Sequence, residues 1–341
     1  MIKYTLDLHQ VTPLTRQQIE HLAHLAGDYE SRVLFEHQNR VINGKSMLGL
    51  LSLGMTGHDE VTLIVEGADE EEAAREIKKL LDSGVRAPKN AGDAQALMQR
   101  VKKQYSDILG EKLYGLYLHG SLAAGCFQWN RSDIDFLTVV REPLDQEEKR
   151  ALVDALYQLR EEAPPAGFEM SVILEEYCRN TPYPIPFELH YSAAHRPAYE
   201  RDPEAFCRDM HGTDEDLTAH ILCLRAFGVT LLGPAIARAF DPVRREDALR
   251  AILHDANGAK APAADKQGYY VLNLCRALAY KRENLVLNKR DGAEWALQNL
   301  DQEHQRVIQA ALNAYLAGRD MSCDAGLTES FLHAALEELN G

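Results

Sequence analysis

Two hydrophobic periods, one alternating and one helical, divide the chain into segments. IKYTLDL alternates and predicts a strand, and the following RQQIEHLAHLA places Ile19, Leu22, Ala23 and Ala26 on one face of a helix. SRVLFEHQ predicts a second strand, RVINGKS a turn with a short strand, KSMLGLLSLG a short helix and EVTLIVEG a further strand. DEEEAAREIKKLLDSG begins acidic and ends basic ahead of Gly84, the polarity that a helix dipole favours. Residues 1–85 thus carry the order β-α-β-β-α-β-α, that of a small open-faced sandwich.

RAPKNAGDAQ, residues 86–95, is small, polar and proline-containing, and predicts a linker. A helix over Ala96–Leu109 follows, then the strand LYGLYLHG, a Gly-Ser loop, the strand DIDFLTVV, a helix over Asp145–Glu161, the strand FEMSVIL and a proline-rich crossing, TPYPIPFELHYS. From Asp214 onward nearly every segment reads helical, from DEDLTAHILCLRAFG to TESFLHAALEELN. The predicted fold class is α+β: the sandwich (1–85), an α/β core (96–240) and a helical bundle (241–341).

Composition narrows the functional classes. The chain has 341 residues, 45% of them hydrophobic, enough for more than one core. There is no run of eighteen apolar residues and MIKYTLDLHQ lacks a signal-peptide pattern, so a cytoplasmic protein with no membrane association is expected. The six cysteines stand singly, without a C-x-x-C pair, which suggests reduced thiols rather than a zinc site or disulfide framework. A net charge of −15 argues against nucleic acid as a partner; it suits a small cationic acceptor, and equally a solvated acidic surface.

The stretch HGSLAAGCFQWNRSDIDFLTVV, residues 119–140, interrupts the regular pattern. Gly120 and Ser121 are followed, after eleven residues, by Asp133 and Asp135. Alternate carboxylates opening a strand point the same way and repel unless a cation lies between them. Nucleotide transfer from ATP uses such parts: a glycine and a hydroxyl that let the chain approach the triphosphate, and carboxylates that hold Mg²⁺ against it. Glu169 in FEMSVIL is the third carboxylate that strand alternation offers, to take the acceptor's proton or join the metal. The alternative is an exposed turn and a strand whose aspartates face water. His119, His190 and His220 match no zinc spacing and read as hydrogen-bonded core or rim residues. Glu188 and Asp216 are acidic side chains that can attract an amine-bearing acceptor, or else part of a solvated face.

From about residue 96 to its end the chain resembles the aminoglycoside adenylyltransferases that modify spectinomycin and streptomycin. The resemblance is carried by residues 119–140, FEMSVIL, GVTLLGPAIARAFDPV and VLNLCRALAYKRENLVLNKRDGAEWAL with ALNAYLAG behind it. It implies that Ser121 meets the triphosphate, that Asp133 and Asp135 bind Mg²⁺ and that Glu169 is the catalytic base. It also implies that Arg276 and Lys289 contact phosphates and Tyr315 the nucleotide; by themselves Arg276 reads as a surface ion pair and Tyr315 as a core aromatic. The implied reaction moves AMP from ATP to a hydroxyl of an aminoglycoside or aminocyclitol. The family's acceptor-contacting tryptophan falls on Ala194, and its acidic residues before the VLNLCR helix are represented by Asp265 alone, which points to spectinomycin rather than streptomycin, or to a non-antibiotic or protein acceptor.

The first 85 residues resemble the histidine-containing phosphocarrier protein, HPr, of the sugar phosphotransferase system, through VINGKSMLGLLSLGMTGHDEVTLIVEGADEEEA. The phosphorylated histidine falls on Thr15 and its partner arginine on Gln17, and His9 lies several residues upstream. A threonine hydroxyl does not replace an imidazole that shuttles a phosphoryl group near neutral pH, so carrier activity is expected to be lost. Ser46 occupies the family's regulatory serine position and reads either as a phosphorylation site or as a plain N-cap. In the first case the partners are regulatory proteins of the phosphotransferase system, and the chain acts as a regulatory nucleotide-binding protein.

Overall fold

The computed structural model describes residues 1–7, 16–37, 40–53, 60–82, 89–260, 262–263 and 266–341. Thr15, His9 and Asp265, and most of the first half of the expected linker, lie outside them. The chain divides into two units, Met1–Lys89 and Asn90–Gly341.

The first unit runs β1 (Ile2–Asp7), α1 (Arg16–Gly27), β2 (Arg32–His37), β3 (Arg40–Asn43), α2 (Met47–Leu53), β4 (Glu60–Glu66) and α3 (Glu70–Asp82). Its four strands pair antiparallel in the order β1-β4-β2-β3. Alternation along β2 sends Val33 and Phe35 into a core with Leu22, Leu50, Leu63 and Ile77, so the helices cover one sheet face. Asp69, just ahead of α3, accepts the amides of Glu30 and Ser31 at 2.8 Å each and ties α3 to the start of β2. Ser46 accepts the Gly49 amide at 3.1 Å and so caps α2.

The second unit opens with α4 (Ala91–Leu109), which begins inside the expected linker. Asn90 accepts the Gly92 amide at 2.7 Å and Asp93 accepts the Asn90 amide at 2.8 Å, a capping box that starts the helix five residues early. β5 (Leu113–Leu118), α5 (Gly120–Ala123), β6 (Ile134–Val140), α6 (Gln146–Leu159) and β7 (Phe168–Leu174) follow. The proline-rich crossing contains two short strands, β8 (Ile185–Phe187) and β9 (Leu189–Tyr191). Next come α7 (Arg196–Arg201), α8 (Pro203–Asp209), β10 (Gly212–Asp214), α9 (Asp216–Phe227), β11 (Val229–Leu232) and α10 (Ile236–Ala239). β11 corrects the helical reading of this region: after Gly228 ends α9, the short apolar run VTLL adds an edge strand to β5. The last helices are α11 (Arg245–Ala256), α12 (Gln267–Glu283), α13 (Lys289–Asn299), α14 (Gln302–Leu316) and α15 (Ala325–Asn340).

The five-stranded sheet has the order β11-β5-β6-β7-β9, with only β6 and β7 parallel. Phe136 points to one face, where it packs with Tyr105 and the rest of the core under α4 and α6. Truncating such a fully buried ring costs about 3–5 kcal/mol. Leu137 and Val139 point the other way, to Leu217, Ile221 and Leu224 of α9. Asp135, at the start of β6, shares that second face, so its carboxylate is on the side of the sheet that α9 covers. Beyond it α12 is the hub of the helical core, with Leu274 packed among Trp295, Ile308 and Phe331.

Candidate functional site

The site is built first by strand register. β6 and β7 run parallel with Asp135 opposite Glu169, so the two carboxylates stand side by side on the α9 face. Asp133 lies just before β6, and one oxygen from each of the three carboxylates lies within 4.8 Å of the others. Desolvation, with like charge on Asp133 and Glu169, raises the Asp135 carboxyl well above the usual range; Lys289 and the Ser121 amide pull against this. Burial likewise raises Glu169, with Asp133 adding to the shift and His220, whose Nε2 is 4.0 Å away, opposing it. Three converging hard oxygen donors with this excess of negative charge fit a divalent cation such as Mg²⁺.

The Gly-Ser segment is a single helical turn, α5, rather than a loop. His119 N–H donates to the Asp135 carbonyl at 3.0 Å and folds this turn onto β6. Gly120 has φ +63°, and a Cβ there would overlap the Asp135 carboxylate. Glycine is therefore required by both backbone and space. Ser121 Oγ, next to it, is buried without a partner among the described residues.

Helices supply the opposite wall. Arg276 of α12 donates to Asn273 Oδ1 at 3.3 Å and to Cys223 Sγ at 3.6 Å, and its Nε is buried without a partner among the described residues. Lys289, the first residue of α13, lies with its Nζ 4.5 Å from the centre of the Tyr269 ring. Burial and Arg276 lower its pKa, against the pull of Asp133 and Asp135. Neither cation has a carboxylate within ion-pair distance among the described residues. The Tyr315 hydroxyl donates to the Cys126 carbonyl at 3.0 Å, beside the Gly-Ser turn.

Between the walls lies a cavity of about 470 Å³. All eight residues singled out for catalysis or nucleotide binding line it, as do Asp216, His119 and His220. The rings of His119 and His220 are 4.9 Å apart, and burial with the neighbouring imidazole lowers His119. Three other readings land elsewhere. Glu188 is turned to the Leu144 amide at 3.2 Å, because that unpaired N–H ahead of α6 needs an acceptor. Ala194 lies in a short 3₁₀ turn, and His190 of β9 pairs with Ser171 at 2.9 Å. The sequence reading passed over Tyr269, Asn273 and Arg319, which also line the cavity. Tyr269, Asn273 and Arg276 recur at i, i+4 and i+7, a polar stripe through the largely apolar middle of α12 that the spacing alone displays.

Comparison with known proteins finds relatives of both units. Residues 238–338 match the family described as aminoglycoside adenylyltransferase, C-terminal domain. Residues 13–83 match that described as PTS HPr component phosphorylation site. An aminoglycoside (3'') (9) adenylyltransferase of Klebsiella pneumoniae is 28% identical over 262 residues, covering 72% of this chain and 97% of that protein. A spectinomycin 9-adenylyltransferase of Staphylococcus aureus is 25% identical over 217 residues, covering 62% and 82%. The HPr-like protein Crh of Bacillus subtilis is 31% identical over 77 residues, 23% of this chain and 91% of its own length. In fold, the chain is similar to the crystal structure of spectinomycin adenyltransferase AAD(9) from Enterococcus faecialis with ATP and spectinomycin, at 20% identity and a TM-score of 0.62 over 72% of this chain and 99% of that one. The chain carries the C-terminal domain of the aminoglycoside adenylyltransferases, is similar to those enzymes over the rest of its transferase part, and has an HPr-like region ahead of it.

Proposed function

We propose that this enzyme transfers AMP from ATP to a hydroxyl of an aminocyclitol such as spectinomycin, in a Mg²⁺-dependent reaction. The observation that carries the reading is the cavity itself, with three carboxylates on one wall and, on the other, two cations without a carboxylate partner among the described residues. A triphosphate with its metal satisfies both walls at once. Asp133 and Asp135 would hold Mg²⁺, which when bound neutralises phosphate charge and polarises the α-phosphorus.

Glu169, held above the usual carboxylate range by burial, takes the proton from the acceptor hydroxyl. The acceptor oxygen forms a bond to the α-phosphorus as the bond to the β-phosphate's bridging oxygen breaks, and pyrophosphate leaves. Arg276 and Lys289 hold the phosphates that leave as pyrophosphate, in the ground state as in the transition state, and their desolvated setting strengthens the attraction. Ser121 Oγ donates to a phosphate oxygen, and the Tyr315 ring bounds the nucleotide while its hydroxyl stays on Cys126. We assign the carboxylate wall to a core of residues 96–240 and the cation wall to a helical domain of residues 241–341. A reaction drawing on ATP places the protein in the cytoplasm.

The decisive assay is pyrophosphate release from Mg-ATP with spectinomycin, streptomycin and other aminocyclitols, with Asp133→Ala as the blank. Release with spectinomycin that the variant lacks supports the reading. Bound ATP without release for any drug transfers the proposal to a protein or other non-antibiotic acceptor.

The likeness to Crh, with Ser46 at the cap of α2, supports a second role for the HPr-like region: docking regulatory proteins of the phosphotransferase system under control of Ser46 phosphorylation. Mass spectrometry after incubation with an HPr kinase and ATP tests it. An unmodified Ser46 leaves the residue as a cap only.

A further inference from the structure

The segment that links α5 to β6, residues 124–133, ends on Asp133, one residue ahead of the strand. Gln128 is its hub. The Gln128 N–H donates to Ser132 Oγ at 3.1 Å, and its carbonyl accepts the amides of Ser132 at 2.8 Å and Arg131 at 3.0 Å. The turn so closed sits directly before Asp133. From the same residue the side-chain Nε2 donates to the Tyr315 carbonyl at the end of α14, at 2.6 Å. The Tyr315 hydroxyl donates back to the Cys126 carbonyl at 3.0 Å, so hydrogen bonds run both ways between segments 187 and 189 residues apart. Farther out Arg131 pairs with Asp320 at 2.9 Å, but Asp320 is 71% exposed, and such a pair contributes little.

The orientation of the Gln128 amide is set by this arrangement. Turning it over would put Oε1 against the Tyr315 carbonyl, two acceptors face to face. In the orientation that donates, Oε1 is buried without a partner among the described residues, so the bond to Tyr315 is what holds the side chain there.

We propose that Gln128 is a positioning residue: its side chain fastens the Asp133-bearing turn to the end of α14 and so keeps the carboxylate and cation walls at the separation that Mg-ATP requires. The proposal rests on the adenylyl-transfer reading. Gln128→Glu tests it with almost no change of shape, because an ionised carboxylate has no proton to donate. Tyr315→Phe keeps the ring and removes only the return bond.

The experiment uses the full chain and reads three quantities: amide hydrogen exchange of residues 126–132, the Kd for Mg-ATP by calorimetry, and KM for the acceptor. In Gln128→Glu the Arg131 and Ser132 amides exchange about tenfold faster and Mg-ATP binds about tenfold more weakly, while acceptor KM stays within about twofold. Tyr315→Phe moves the first two in the same direction by about threefold. Unchanged exchange, or an unchanged Kd for Mg-ATP, in Gln128→Glu overturns the proposal. So does faster exchange spread through β5, β6 and β7 with acceptor KM rising alongside, the signature of a general structural role. A wild-type chain that fails to bind Mg-ATP overturns the adenylyl-transfer reading itself, and that result stands before any variant is compared.

Discussion

The two walls of the cavity carry opposite charge and are built on opposite principles. The carboxylate wall is a product of backbone register: Asp135 and Glu169 stand together because β6 and β7 pair in parallel at those positions, and a one-residue slip would turn either side chain to the far face. The cation wall is a product of side-chain packing, with Arg276 and Lys289 on different helices, steadied by Asn273, Cys223 and Tyr269. Register fixes the face and the neighbour of a carboxylate, whereas a long side chain on a helix keeps freedom that the ligand must remove. Chemistry that demands exact placement therefore sits on the strands, and charge that need only be near sits on the helices.

The comparison breaks first, and most visibly, at Asp135. Asp135→Asn keeps the shape and the acceptor for Ser121 while removing a charge, and kcat should fall by at least about a thousandfold, roughly 4 kcal/mol of barrier. The variant should also melt no lower than wild type without nucleotide, since a carboxylate crowded by Asp133 and Glu169 opposes folding when ionised. A large drop in melting temperature would mean that the wall is structural. Gly120→Ala comes next. With φ +63° and the Asp135 carboxylate in the way, the added methyl should displace the turn and lower kcat/KM by about a hundredfold, read from initial rates.

That difference of construction also explains what the sequence displayed. The strand-borne residues were legible because alternation and the Gly-Ser and Asp-x-Asp spacing are local, and Glu169 followed from the same period. Arg276, Lys289 and Tyr315 were reached through family resemblance alone, since nothing local in VLNLCR or NKRDG says which helices meet. The misread elements fail for a physical reason too. VTLL is a strand because β5 has a free edge beside it, and the Ala91–Gln95 stretch is helical because Asn90 and Asp93 cap it; the first is a tertiary effect and the second was masked by small polar residues. Glu188 lay in the right chemical class and the wrong place, as strand direction alone cannot tell a cavity from a neighbouring amide.

Beside the carboxylate wall, on the same face of the sheet, Ser171 holds a neutral imidazole, which sharpens the comparison through pH. His190 of β9 is pushed down to about 4 by burial and by His195, while Asp214 pulls upward and His220 adds to the depression. Its folded-state value lies below its unfolded one, so the associated stability is complete above about pH 6.5 and is lost as the pH falls through 4. At pH 4.5 the loss should be about 2–3 kcal/mol. Urea unfolding at pH 7 and 4.5 checks this: His190→Gln, which can still bond Ser171, should lose that much less than wild type. Equal losses would place the acid sensitivity elsewhere.

The smallest effect belongs to the cation wall. Lys289→Met removes one of two cations from a wall whose partner charge arrives with the ligand, so KM for ATP should rise about tenfold, near 1.4 kcal/mol, with kcat falling less. Because burial already holds the Lys289 pKa below its ordinary value, the ligand-free variant should be as stable as wild type or more so. Measured together, the two quantities separate the walls: strand variants lose chiefly turnover, and helix variants chiefly affinity. A Lys289→Met enzyme whose kcat collapses as far as that of Asp135→Asn would show that the ammonium is as sharply placed as the carboxylates, and that register has no special claim on the chemistry.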